Sequence, residues 1–195
     1  MISPRQSIPE LIENMDHTAQ KSLQSKLAGI KLLLCDVDGV LTNGTVTIGN
    51  GTEFKQFNIQ DGLGLRILQQ AGILVGWISN RPSTATQQRA EELKIDFLHE
   101  QPGSKVEAAE AILNEAGLDW ESVCFIGDDL VDLELLGQVA LGVAVANGIQ
   151  EIREAADLVT RQPGGQGAVR ETVELILKAQ DKWSELIQRY SKRHS

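Results

Sequence analysis

The chain has 195 residues, 42% of them hydrophobic and 23% charged, a composition that predicts one globular domain with a hydrophobic core. A formal net charge of -9 and only 4% aromatic residues exclude a general nucleic-acid binder, because such a surface repels phosphates and offers few rings for base stacking. No apolar run approaches the roughly 20 residues that a membrane-spanning helix needs, so we expect no membrane partner.

The first part of the chain predicts a helix, a buried strand and a hairpin. Apolar residues recur at helical spacing from Leu11 to Leu27, so residues 1–29 are predicted to form a helical extension. The short apolar run at residues 31–35 is typical of a buried strand. The β-prone residues 45–48 and 53–57 flank Asn50-Gly51, a strong signal for a tight turn, and predict a β-hairpin flap.

Strands then alternate with helices. Apolar runs predict strands at residues 73–78, 95–98, 123–126, 142–145 and 157–160. Helical periodicity predicts helices at residues 61–71, 83–93 with Ser83 as N-cap, 105–116 closed by Gly117, 131–136, 149–155 and 169–192. This alternation predicts an α/β fold with a doubly wound, Rossmann-like parallel sheet. We divide the chain into an extension at residues 1–29, a main domain at 30–180 and a C-terminal helix end or tail at 181–195.

The cysteines bear on the cellular compartment. Cys35 and Cys124 each lie in an apolar run, which is typical of buried, reduced thiols. The N-terminal residues lack the apolar core of a signal peptide. We therefore expect a cytoplasmic protein.

Two acidic pairs come directly after predicted strands. Asp36 and Asp38 follow the first strand, and Asp128 and Asp129 follow the strand at 123–126. The carboxyl ends of parallel strands meet at one edge of the sheet, where such folds bind their ligands. Carboxylates that gather there repel one another unless a cation is present, and magnesium favours carboxylate oxygens. The pattern therefore predicts a magnesium site.

A second group of residues has the chemistry to hold a phosphate at the same edge. Ser79 and Asn80 end the strand at 73–78 and offer a hydroxyl and backbone N–H groups, and Arg81 follows them. Lys105 opens a helix, and a helix N-terminus with an ammonium group is a natural anion site. Carboxylates, metal, hydroxyl and lysine together indicate phosphoryl transfer.

In these motifs the chain resembles the haloacid dehalogenase superfamily of phosphatases, whose four motifs occur in order over residues 31–160. The resemblance is closer to the 3-deoxy-D-manno-octulosonate 8-phosphate phosphatases and then extends to about residue 180. It is carried by the runs at residues 36–42 (DVDGVLT), 57–64 (FNIQDGLG), 127–132 (GDDLVD) and 164–171 (GGQGAVRE). It implies a lipopolysaccharide-precursor phosphatase whose substrate is a phosphorylated sugar acid.

The resemblance also implies a role for each matching residue. Asp36 would attack phosphorus and form an aspartyl phosphate, and Asp38 would act as general acid and then general base. Asp36, the backbone carbonyl of Asp38 and Asp128 would bind magnesium, with Asp129 supporting the metal. Ser79, Asn80 and Lys105 would hold the phosphoryl group. The positions matching substrate contacts of the family are Asn58, Asp61, Gly62, Arg66, Arg81 and Arg89.

The chain departs from the family at Asn80, which occupies a glycine position and which we expect to be tolerated because asparagine accepts a positive φ. The segments between the motifs leave no room for the cap domain that many superfamily members carry. The family solution, carried over here, is a homotetramer in which hairpins cover neighbouring sites.

Three alternatives remain open. A related nonulosonate 9-phosphate presents the same terminal phosphate and distant carboxylate as the octulosonate substrate. A receiver-like phospho-acceptor domain also binds magnesium, but its acidic pair precedes the phosphorylated aspartate, whereas here Asp36-x-Asp38 comes first. A catalytically silent subunit is disfavoured by the presence of all the predicted catalytic side chains.

Overall fold

The computed structural model describes residues 17–192 and contains one six-stranded parallel sheet with helices on both faces. The strands are β1 (Leu32–Asp36), β2 (Thr47–Gly49), β3 (Thr52–Phe54), β4 (Leu74–Ser79), β5 (Phe97–Glu100), β6 (Val123–Gly127), β7 (Leu141–Ala144) and β8 (Leu158–Val159). The helices are α1 (His17–Gly29), α2 (Ile59–Gln70), α3 (Thr84–Leu93), α4 (Lys105–Ala116), α5 (Leu133–Leu136), α6 (Gln150–Ala155), α7 (Ala168–Ala179) and α8 (Trp183–Lys192).

The strand order β5-β4-β1-β6-β7-β8 creates a switch point beside β1. The chain builds the sheet outward from β1 through β4 and β5, and then returns to the other side of β1 with β6. In doubly wound sheets ligands bind at the carboxyl ends of the strands where the order reverses. Asp36 ends β1 and Asp128 follows β6, so both carboxylates lie at this point. The predicted fold class is confirmed.

The core lies on both faces of the sheet because neighbouring side chains of a strand point in opposite directions. Leu33 and Cys35 of β1 face one cluster, which includes apolar residues of α1, α2, α3, α7 and α8. Leu32 and Leu34 face the other cluster, with residues of α4, α5 and α6. All five β1 residues are buried, which explains the continuous apolar run in the sequence.

The hairpin predicted around Asn50-Gly51 is present, with shorter strands than expected. β2 and β3 pair antiparallel in a separate two-stranded sheet. Asn50 has φ 52° and Gly51 has φ 74°, the pair of left-handed residues that a tight hairpin turn requires. The hairpin stands between β1 and α2 in the chain.

One detail of the predicted helices is wrong, and another is confirmed in position but not in its hydrogen bond. The single helix predicted at 169–192 is two helices, α7 and α8, because Asp181 adopts φ 57° and Lys182 turns back to Leu177 O through a 2.9 Å backbone hydrogen bond. Ser83 does stand at the N-cap of α3, but its hydroxyl binds Glu53 Oε1 at 2.8 Å instead of capping the helix.

The terminal segments contribute to the core. Leu23 and Leu27 of α1 and Leu186 of α8 are buried in the same cluster as β1. The apolar residues predicted to be helical before His17 lie outside the described residues. The boundaries drawn at 29/30 and 180/181 stay predictions. Among residues 17–192, no helix combines the length and apolar character that crossing a membrane would require.

Candidate active site

Asp36 and Lys105 form a buried ion pair at the switch point. Asp36 is the last residue of β1, and Lys105 is the first residue of α4, whose N-terminus is capped by Ser104. Lys105 Nζ lies 2.6 Å from Asp36 Oδ1 and 2.5 Å from Asp132 Oδ1. Buried charges of this kind are stable only when paired, so the three side chains fix one another.

Asp132 organises the loop after β6. Its Oδ2 accepts hydrogen bonds from the backbone N–H groups of Asp128 and Asp129, at 2.9 Å and 3.3 Å. Its side chain is fully buried, and its other oxygen binds Lys105. The sequence prediction did not include Asp132 among the site residues, although its position in the run at 127–132 was the signal that could have identified it.

Three carboxylates come close enough to share a metal ion. One oxygen each of Asp36, Asp128 and Asp132 lie within 4.8 Å of one another. The oxygens of Asp132 are engaged by Lys105 and by two backbone donors, so Asp36 and Asp128 have the capacity to bind a cation. The donor set therefore fits magnesium. Asp129 is not part of this group, because its exposed carboxylate caps Leu130 N at 2.7 Å.

The turn after β1 brings Asp128 close to the backbone. Gly39 has φ +106°, a conformation that suits glycine, and a Cβ atom there would collide with the Asp128 carboxylate. A second glycine segment, Gly164-Gly165, packs against the same turn. A Cβ atom on Gly164 would collide with Gly39 O, and Gly165 N donates to Val40 O at 2.8 Å. Gly164 and Gly165 therefore support the turn that follows β1.

The electrostatics of the site favour a cation. Burial raises the pKa of Asp36 to about 6, although Lys105 opposes the shift and Asp132 adds to it. Burial, Asp36 and Asp132 together raise the pKa of Asp128 to about 8. Burial alone would lower the pKa of Lys105, but Asp36 and Asp132 outweigh it and raise that pKa, so the ammonium stays charged. Three carboxylates facing one ammonium leave an excess of negative charge that a divalent cation would neutralise.

Ser79 and Asn80, which were predicted to bind phosphate, lie at the end of β4. β4 pairs with β1, so these residues lie next to the end of β1 and Asp36. Ser79 is buried, and its hydroxyl accepts from Arg81 N at 3.1 Å and lies 3.2 Å from Arg81 O. Asn80 is half-buried and does not have a positive φ. The reason given for tolerating asparagine at this position is therefore wrong, because Asn80 does not adopt a positive φ, and the tolerance itself stays a prediction.

Asp38 is held by a lysine that the sequence prediction missed. Lys55 Nζ, from the segment after β3, lies 2.8 Å from Asp38 Oδ1 and 2.9 Å from Oδ2. It also lies 3.2 Å from Thr86 Oγ1 of α3. A single lysine in a hairpin carries no sequence signal for such a contact, because the pair is made only when the hairpin folds back on β1.

The residues predicted to contact substrate make contacts within the protein. Asn58 caps α2, and Asp61 accepts from Gly167 N at 3.2 Å and Arg170 N at 2.7 Å at the start of α7. Arg66 donates hydrogen bonds to Gln69 Oε1 and Leu93 O.

The other two predicted arginines also make contacts within the protein. Arg89 pairs with Glu92 and lies against Gly62, while Arg81 pairs with Glu53. These contacts tie α2 to α3 and α7, and the substrate roles stay predictions.

The chain is similar to several known proteins in sequence and in fold. Residues 95–171 match the family model of haloacid dehalogenase-like hydrolases. The 3-deoxy-D-manno-octulosonate 8-phosphate phosphatase of Yersinia pestis is 43% identical over 158 residues, 80% of this chain and 84% of that protein. The enzyme of the same name from Escherichia coli K12 is 40% identical over 162 residues, 83% of this chain and 86% of that protein. The Moraxella catarrhalis enzyme, solved with a magnesium ion, a phosphate ion and KDO, matches with TM-score 0.85 and 38% identity over 87% of this chain and 98% of that one.

The parallel sheet and the carboxylates at its switch point define a haloacid dehalogenase-like hydrolase. Identity of about 40% over most of the length of the relatives then narrows the class. The chain belongs to the family of 3-deoxy-D-manno-octulosonate 8-phosphate phosphatases. The family resemblance and the prediction of a phosphoric monoester hydrolase are confirmed, and the receiver-like and silent-subunit alternatives are set aside.

Proposed function

We propose that this protein hydrolyses 3-deoxy-D-manno-octulosonate 8-phosphate to the free sugar acid and phosphate, with magnesium as cofactor. The observation that carries the proposal is the buried group of Asp36, Lys105 and Asp128 at the switch point of the sheet. Family membership supports the substrate, since the named relatives act on this phosphate ester. Magnesium, when bound at Asp36 and Asp128, supplies positive charge that offsets the carboxylates and the incoming phosphoryl group.

The first step forms a bond from Asp36 to phosphorus. One Asp36 carboxylate oxygen attacks the phosphorus atom, and the bond from phosphorus to the sugar oxygen breaks. The electron pair of that bond goes to the sugar oxygen, which takes a proton from the Asp38 carboxylic acid and leaves as an alcohol. Lys105, already 2.6 Å from Asp36 Oδ1, is positioned to balance charge on the phosphoryl oxygens, with Ser79 and Asn80 as further phosphate contacts.

The second step restores Asp36. The Asp38 carboxylate takes a proton from water, and the water oxygen attacks phosphorus. The bond from phosphorus to the Asp36 oxygen breaks, so the carboxylate is regenerated and phosphate is released. Asp132 keeps Lys105 and the backbone of Asp128 in place through both steps, because its two oxygens bind them separately.

We also propose a cytoplasmic homotetramer. Cys35 and Cys124 are free and buried, which suits a reducing compartment. The hairpin and the start of α2 expose large apolar side chains, namely Val46, Ile48, Phe54, Ile59 and Leu63. Several exposed apolar side chains in neighbouring segments of the chain are typical of a protein interface. Its position beside the strand ends supports an assembly in which hairpins shelter neighbouring sites.

Phosphate release tests the proposed function. Purified protein is given 3-deoxy-D-manno-octulosonate 8-phosphate, a nonulosonate 9-phosphate and a simple sugar phosphate at equal concentrations, with magnesium or with a chelator. We expect the highest kcat/KM for the octulosonate phosphate and loss of turnover with the chelator. Much faster turnover of the nonulosonate phosphate would overturn the substrate assignment, and no turnover of any ester would overturn the enzyme itself.

A further inference from the structure

A buried lysine joins the hairpin segment to the proposed acid and base. The Lys55 side chain is fully buried, whereas the side chain of Asp38 keeps 25% of its surface exposed. Lys55 Nζ contacts both Asp38 oxygens, at 2.8 Å and 2.9 Å, and Thr86 Oγ1 at 3.2 Å. Burying an ammonium group is costly unless it is paired, and its partners here are a carboxylate and a hydroxyl.

Both oxygens of Asp38 lie against the Lys55 ammonium group. Lys55 Nζ donates a hydrogen bond to Oδ2. Oδ1 is buried and within ion-pair distance of Nζ, but it accepts no hydrogen bond from the described residues. The ammonium group therefore fixes the orientation of the carboxyl group through both oxygens, while 25% of the Asp38 side-chain surface stays exposed.

The hairpin itself is anchored by the same group. Glu53 of β3 lies 3.8 Å from Lys55, pairs with Arg81 and accepts from the Ser83 hydroxyl at 2.8 Å. These contacts connect β3 to the segment between β4 and α3. The position of Lys55, and with it the orientation of Asp38, is therefore linked to how the hairpin folds on its own subunit.

We infer that Lys55 is a positioning residue that orients Asp38 for proton transfer to the leaving oxygen. This inference rests on the proposed function. In the step concerned, the bond from phosphorus to the sugar oxygen breaks, and that oxygen takes the proton carried by Asp38. An ester whose leaving group is stable without a proton, such as p-nitrophenyl phosphate, bypasses this requirement. Loss of Lys55 should therefore affect an alkyl phosphate far more than an aryl phosphate.

The test compares kcat/KM, which reports on phosphoryl transfer to Asp36, for the sugar phosphate and for p-nitrophenyl phosphate. For Lys55→Met we expect a fall of about 100-fold with the sugar phosphate and of less than about threefold with the aryl phosphate. Lys55→Arg restores a cation and should recover most of the loss. Lys26→Met is the matched control, since it removes another lysine ion pair, to Asp157 at 2.6 Å, and should leave both values unchanged.

Thr86→Val keeps the inference testable if Lys55→Met does not fold, as judged by its thermal unfolding. It removes the hydroxyl partner of Lys55 and should give a smaller loss with the same preference for the alkyl ester. Equal losses with both esters, or no loss with either, would overturn the role of Lys55. Failure of the proposed function is recognised separately, because the unmodified protein would then be inactive on the sugar phosphate.

Discussion

Asp36 is the residue on which the proposed chemistry depends, because it ends the central strand and lies against Lys105. Asp36→Asn keeps the shape and a hydrogen-bonding oxygen but removes the anionic nucleophile. We expect kcat to fall by more than about 1000-fold while the fold is retained. Phosphate release and circular dichroism measure the two effects. Asp119→Asn, at an exposed position, is the control. More than a trace of activity in Asp36→Asn would contradict covalent catalysis by this residue.

The raised pKa of Asp128 predicts how stability depends on pH. Its pKa is about 8 in the folded chain against 3.8 for a free carboxyl group, and that of Asp36 is about 6. The folded state therefore binds more protons between these values, so the stability that these two carboxyl groups contribute is largest below about pH 4 and falls as pH rises toward about 8. In a chelator we expect the Tm to fall over this window.

Magnesium should oppose that fall, because it binds the deprotonated carboxylates. The gain in Tm on adding magnesium should be larger near pH 8 than near pH 5. Asp128→Asn should flatten the pH dependence in chelator and reduce the gain from magnesium. Thermal unfolding at constant ionic strength measures both. The same slope in Asp128→Asn as in the unmodified protein would show that this carboxylate is not the group responsible.

At the scale of elements, the glycine run before α7 supports the turn after β1. Gly164→Ala places a methyl group against Gly39 O, which must move and carry Asp38 and the Asp128 contact with it. We expect a loss of about 1–3 kcal/mol in the free energy of unfolding and at least about a tenfold fall in kcat. Gly29→Ala is the control, since nothing lies within 4 Å of its added Cβ. Urea unfolding and phosphate release check both, and full activity in Gly164→Ala would refute the coupling.

The elements that could be predicted from sequence are those with a local signal. α4 was predicted with its observed ends, because Gly117 in the left-handed region stops it. The break at Asp181 was missed because neither glycine nor proline marks it. Within the site, Asp36 and Asp128 stand out as charges ending apolar strands. Lys55 does not, because its contact with Asp38 spans 17 positions and exists only in the folded hairpin.

At the scale of the whole molecule, the functional groups of the sheet lie together at the carboxyl ends of its strands. The strands β1, β4 and β6 end side by side, and each is followed by polar residues of the site. The chain carries a net charge of -9, yet the proposed substrate is an anion. Lys105 and a bound divalent cation must therefore overcome the field of the protein locally, which is easier when the site is shielded from water.

That shielding is the physical reason to expect an assembly. Ile48 and Phe54 of the hairpin are 74% and 58% exposed, and Ile59 at the start of α2 is 73% exposed, a surface that a partner subunit would bury. We expect light scattering at micromolar concentration to give a mass of about four chains. The double variant Ile48→Glu with Phe54→Glu should give a smaller species with reduced activity, because charges at these positions oppose burial. Leu98→Gln alters an exposed apolar residue on the edge strand β5 and should keep the assembly. A monomer with full activity would show that the hairpin shelters only its own subunit.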